Sequence, residues 1–166
     1  MSVLVSHPTG NANLRAVLRG LSAADLLREF HTTIALPAAI TERIARSSAG
    51  GATLAQRAFP EAGSAPVHSH SLREVVRQLA RRTRWSTLDK HESGWASVDA
   101  VYRSLDAQVA RRLRRVTGTI VQAVYAYEDG AEQSFVAARD LGVKTLYDLP
   151  IAHWRTLRRL LSEEAE

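Results

Sequence analysis

The chain has 166 residues, 45% of them hydrophobic, which is one domain in length and enough to bury a core. It contains no cysteine, which excludes disulfides, thiolate zinc centres and cysteine nucleophiles; no apolar run approaches the roughly 20 residues of a membrane span, and the apolar start is too short for a signal peptide, so the sequence reads as cytoplasmic. The net charge of +5 rests on arginine, since only Lys90 and Lys144 of the 22 basic residues are lysines, and such a field draws phosphates, nucleic acid or anionic lipid without naming one.

Ser2-Val3-Leu4-Val5-Ser6 has the composition of a buried parallel strand, stopped by His7-Pro8-Thr9-Gly10. Asn11 or Asn13 then offers an N-cap to a helix whose apolar face is Leu14, Val17, Leu18 and Leu21. The aromatic and β-branched run from Arg28 to Ile34 predicts a second strand ending before Pro37, and a helix is expected over residues 38–46. Glycine and proline crowd residues 47–71, which read as a long mobile loop.

From Leu72 to Trp85 the pattern is that of a basic amphipathic helix, with Leu72, Val75, Val76 and Leu79 as its apolar stripe. Ser97 caps a longer helix through Val98, Val101, Leu105, Val109 and Leu113 to the cluster Arg111-Arg112-Leu113-Arg114-Arg115, which suits the negative end of a helix. Residues 119–127 predict a strand, Glu128-Asp129-Gly130 a turn, residues 131–141 a helix ended by Gly142, and residues 143–147 a further strand. Asp148-Leu149-Pro150 then leads into a final helix through about Ser162. Strands alternating with helices predict an α/β fold: one doubly wound, Rossmann-like parallel sheet with helices on both faces, and no domain boundary inside residues 1–166.

Ligands of such sheets sit at the carboxyl ends of the strands. Three strand ends carry concentrated polar residues: His7 to Asn13, Glu128 to Gly130, and Tyr147-Asp148. Gly10 removes a Cβ that would block a close backbone approach, and the amides opening the next helix carry partial positive charge, so that turn suits a phosphate or sugar hydroxyl. The plainer reading of the same residues is a strand-to-helix turn with an asparagine cap. Glu128 and Asp129 at a helix start equally serve the helix dipole, and His31 reads either as a core or edge histidine or as a proton-transfer group. His68 and His70 stand one residue apart without a thiolate or a spaced carboxylate cluster, so they read as solvent-exposed histidines and no metal is expected.

Together, Ser6-His7-Pro8-Thr9-Gly10-Asn11-Ala12-Asn13, Glu29-Phe30-His31-Thr32-Thr33, Ser97-Val98-Asp99-Ala100-Val101-Tyr102, Val124-Tyr125-Ala126-Tyr127-Glu128-Asp129-Gly130-Ala131 and Tyr147-Asp148-Leu149-Pro150 resemble bacterial glycosyltransferase family 4 proteins of the GT-B fold. The likeness spans nearly the whole chain and weakens between about Ser47 and Ser71. Members are about twice as long, so the resemblance implies an amino-terminal, acceptor-side lobe whose carboxyl-terminal partner lobe, the main holder of the nucleotide-sugar, is missing. It further implies a retaining transfer without a bound metal or cofactor, from a nucleotide-sugar donor to a carbohydrate or lipid-linked acceptor, and little turnover by this lobe alone. Substrate contacts would fall to His7, Thr9, Gly10, Asn11, Asn13, Tyr127 and Asp148, with His31, Glu128 and Asp129 as candidate catalytic groups. Many members carry a histidine where this chain has Tyr125 and Tyr127.

The arginine-rich helices leave a second reading open. They suit a peripheral contact with the inner face of a membrane, or make the chain a non-catalytic basic module for nucleic acid or another anionic surface.

Overall fold

A computed structural model describes residues 2–37, 40, 56–83, 85, 87–116, 120–149 and 154–164. The β-branched run at the start forms β1 (Val3–Ser6), buried at every position. Asn11 caps α1 (Ala12–Ala23), its Oδ1 accepting from the Leu14 amide at 2.7 Å and so satisfying one of the donors that a helix start leaves open. There follow β2 (Leu27–Thr32), a 3-10 turn (Pro60–Ala62), β3 (Val67–Ser69), α2 (Leu72–Thr83) and α3 (Val98–Arg115). The chain continues through β4 (Ala123–Tyr127), α4 (Glu132–Asp140), β5 (Lys144–Asp148) and α5 (Trp154–Glu164).

The strands make one all-parallel sheet in the order β3-β2-β1-β4-β5, so the chain is an α/β, Rossmann-like domain. Alternation along β1 divides the core between the two faces. Leu4 packs with Val124 beneath Leu105, Val109 and Leu113 of α3 and Ala137 and Ala138 of α4. Val3 and Val5 pack on the other face with Phe30, Phe59 and the Leu14 and Leu18 side chains of α1. Asp106 ties α3 to α4: its carboxylate, 2% exposed, accepts from the Gln133 amide at 2.6 Å and the Ser134 amide at 2.9 Å. The first residue before α4, Ala131, has no side-chain cap to offer, so a neighbouring helix supplies one.

Several expectations change. Of residues 47–71, the stretch 47–55 lies outside the described residues, but from 56 onward the chain forms the 3-10 turn and β3 rather than a loop. Val67, His68 and Ser69 pair in register with Phe30, His31 and Thr32, so a strand with almost no apolar signal of its own is specified by its neighbour. Of residues 38–46 only Ile40 is described, and it is helical. The second strand stops at Thr32, because Thr33 turns away to donate its hydroxyl to the Pro8 carbonyl at 2.6 Å. β4 begins at Ala123; of the four earlier residues in the expected strand, Thr119 lies outside the described residues and Ile120 to Gln122 are not in the ladder.

The orientation of α2 is also reversed from expectation. Leu72, Val75 and Leu79 of its apolar stripe are 70%, 42% and 53% exposed, while Glu74 and Ala80 are the buried positions. Glu74 turns inward because its carboxylate is fully engaged, by Arg77 through two contacts of 2.7 Å and by Gln78 at 3.0 Å. The side chains from 155 to 164 in α5 are all exposed, as are Leu146 and Tyr147 of the edge strand β5. Among the described residues no helix is long and apolar enough to cross a membrane.

Candidate functional site at the carboxyl rim

β1 is flanked by β2 on one side and β4 on the other, and the connections leaving β1 and β4 pack on opposite faces. In sheets of this kind the crevice for a ligand lies where they diverge, above the carboxyl ends of the two strands. Its walls are the turn after β1, residues 7–11, and the turn after β4, residues 127–131.

His7 forms the floor. It is fully buried, its ring lies 4.4 Å from the Tyr127 ring between centroids, and the Thr9 amide donates to its Nδ1 at 3.1 Å. Burial holds His7 below its ordinary value, outweighing the opposite pull of the Asp148 charge. It is therefore neutral at neutral pH, with the proton on Nε2, 3.4 Å from Asn11 Nδ2.

The other residues of this turn divide between packing and exposure. Thr9 and Asn13 are exposed, Asn13 in the first turn of α1. Asn11 is occupied as the cap of α1. Gly10 has a role different from the one expected: a Cβ there would meet the Phe59 ring at 2.7 Å and the Gln56 carbonyl at 3.3 Å, so its bareness admits protein rather than a phosphate.

The opposite wall is tyrosine-rich and acidic. Glu128 and Asp129 lie in the turn after Tyr127, and the Tyr147 hydroxyl donates to the Glu128 carbonyl at 3.1 Å. Asp148 ends β5 in register with Tyr127 and lies against the Tyr125 hydroxyl, which burial and this carboxylate together push up. Tyr127 and Tyr147 are likewise pushed up by burial and then by the charges of Glu128 and Asp129. Tyr102 reaches over from α3, edge-on to Tyr127 with centroids 6.3 Å apart. Toward β2 the rim holds a small cavity of about 90 Å³, lined by Thr9, Thr33, Arg57, Glu74, Arg77 and Tyr102 among others.

His31 does not reach this crevice. It is 2% exposed and belongs to a cluster on the sheet face beneath α3, of which sequence reasoning recognised no other member as functional. Its ring stacks on those of His68 and His70, with centroids at 4.6 and 5.2 Å. Its Nε2 lies 3.6 Å from Glu29 Oε1, too far for a hydrogen bond, and His68 Nε2 lies 3.4 Å from Glu29 Oε2. Arg112 closes on the same carboxylate, with Nε 3.1 Å from both oxygens and Nη2 2.9 Å from Oε2.

Burial pushes Glu29 up, but the neighbouring His31 imidazole and the Arg112 guanidinium prevail and hold it at about 2. His68 lies in β3 and His70 directly after it, and both are half-buried rather than freely exposed. Burial lowers both, His70 to about 4, so both rings are neutral at neutral pH. The signal available in the sequence was the pair of alternations Glu29-x-His31 and His68-x-His70, each placing two side chains on one face of a strand. Compared with known proteins, the chain matches no family model, no curated sequence and no solved structure.

Proposed function

We propose that the chain is the acceptor-side lobe of a glycosyltransferase, with the crevice between the β1 and β4 turns as the place where a sugar hydroxyl is held. The observation that carries this reading is the meeting of His7 and Tyr127 across the strand-order reversal, with Glu128, Asp129 and Asp148 on the same rim. Tyrosine rings offer flat apolar faces to the C–H side of a sugar, and ionised carboxylates accept from its hydroxyls. A rim this acidic favours a neutral polyol over a second phosphate, which fits an acceptor more than a donor pyrophosphate.

Orientation is the main service such a wall renders, because holding a hydroxyl in line with a departing nucleotide removes much of the entropic barrier. Neutral His7 is too deeply enclosed to touch a substrate and positions Tyr127. Glu128 is the nearer candidate to take the acceptor's proton, ahead of His31, which is sequestered on the sheet face. The nucleotide-sugar would be held mainly by a second lobe. The exposed Leu146 of the edge strand β5, and the exposed Leu157, Leu160 and Leu161 of α5, support a reading in which further protein covers these apolar surfaces.

The test is an amide chemical-shift map of the chain titrated with a panel of monosaccharides and nucleotide-sugars. The expected result is perturbation of residues 7–11, 127–131 and 148 by a sugar, with affinity reduced about tenfold in Tyr127→Ala, the loss of one ring's stacking. A second reading draws on the groove between α2 and α3, about 340 Å³ in volume, where Arg73, Arg103 and Arg111 converge. A silent rim, with shifts confined to that groove on adding nucleic acid at low salt, overturns the transferase reading in favour of a basic binding module.

A further inference from the structure

We propose that Glu29, His31 and His68 form a binding site for one divalent transition-metal ion of the zinc class, clipping the edge strand β3 to β2. Three observations carry it. First, the Nε2 atoms of His31 and His68 are both buried and both lack a hydrogen-bond partner. The His31 side chain is only 3% exposed, and leaving such an atom unsatisfied costs folding free energy unless something else occupies its lone pair.

Second, the geometry suits a tetrahedral ion. The three ligand atoms lie within 4.8 Å of one another, and the two nitrogens stand 3.6 and 3.4 Å from separate oxygens of Glu29. An ion with bonds of about 2.0–2.1 Å holds its ligands roughly 3.4 Å apart, so small side-chain movements close the set. Two imidazoles and one carboxylate suit zinc, cobalt or nickel, whereas calcium and magnesium prefer oxygen alone.

Third, the surroundings prepare the ligands. His31 Nδ1 lies 3.0 Å from His70 Nε2, and with the proton on His31 Nδ1 it donates to His70, which leaves His31 Nε2 free to coordinate. Arg112 Nη2 lies 2.9 Å from Glu29 Oε2, so the carboxylate would be shared between guanidinium and metal.

The experiment uses the tag-free chain stripped with a chelator, titrated with zinc against a chromogenic competitor and with cobalt by visible absorption. Histidine ring nitrogens are followed by ¹⁵N NMR. The expected result is one equivalent bound, a tetrahedral cobalt spectrum, and movement of the His31 and His68 Nε2 resonances while exposed His91 stays still. His68→Ala, at a partly exposed edge position that the fold tolerates, should weaken binding at least tenfold, and His91→Ala should not. Absence of a stoichiometric site, equal affinity in His68→Ala, or unmoved Nε2 resonances overturns the proposal.

Discussion

A missing methyl group lets the turn after β1 close against the segment that precedes the 3-10 turn. Because a Cβ at Gly10 would sit 2.7 Å from the edge of the Phe59 ring, Gly10→Ala forces that ring back into a core shared with Phe30. Overpacking of this kind costs about 1–3 kcal/mol. Combined with Phe59→Leu, which frees the space, the cost should be clearly less than the sum of the two single changes in a double-mutant cycle followed by urea unfolding. Strict additivity would mean that the two residues do not compete for volume. The cap at Asn11 could be read from sequence because capping acts within one helical turn. The use made of Gly10 could not, since Phe59 comes from a distant segment. His31 illustrates the same limit: its place in a strand was legible, but the two imidazoles stacked on it are supplied by β3, a strand only three residues long, and the residue after it.

At the scale of elements, α4 depends on α3 for its start. Asp106→Ala would leave the buried Ser134 amide and the part-buried Gln133 amide without their partner and withdraw a carboxylate from the positive end of the helix. Each stranded donor costs about 1–3 kcal/mol, so a loss of about 2–4 kcal/mol is expected in urea unfolding, together with faster hydrogen exchange in the first turn of α4. Unchanged exchange there would show that water replaces the carboxylate. β1, α1, α3, β4 and α4 were legible because each buries apolar positions that stand out along the chain, and β5 because its run follows Gly142 and ends before Pro150, although its side chains are mostly exposed. β3 was hidden because its pairing with β2, not its composition, makes it a strand. α2 was misoriented because its apolar stripe faces outward while the Glu74–Arg77 pair faces in, an inversion that depends on ion-pair geometry and leaves no trace in hydropathy.

For the whole molecule, acid should be more damaging than the basic composition suggests. Glu29, Glu61 and Glu74 are each pushed up by burial but held below their ordinary 4.5, Glu29 by His31 and then Arg112, Glu61 by a backbone amide and then Arg15, and Glu74 by Arg77 and then Gln78. A carboxyl with a lowered folded value contributes stability that is complete above 4.5 and is lost as pH falls through that lowered value, down to about 2 for Glu29. Glu61 is the least enclosed of the three, so solvent screening makes its share the smallest. Urea midpoints measured from pH 6 to pH 2 should decline steadily, and Glu74→Gln should make the decline shallower. An unaltered slope would mean that the ion pair with Arg77 adds nothing. The layered α/β architecture itself was legible from the alternation of elements, whereas the crevice at the rim was legible only as three separate polar turns until the strand order joined two of them.

The position of β1 at the centre of the sheet sets a timetable for folding. Val3 pairs with Leu27 on one side and with Ala123 on the other, so the strand receives its second neighbour only once a segment far along the chain has been made. Until then the nascent chain carries an apolar ribbon with one ladder of amide and carbonyl groups unfilled, a natural target for chaperones and a seed for aggregation. Pairing across such a separation closes more slowly than a helix forms, so completion of the sheet is expected to lag behind the helices around it.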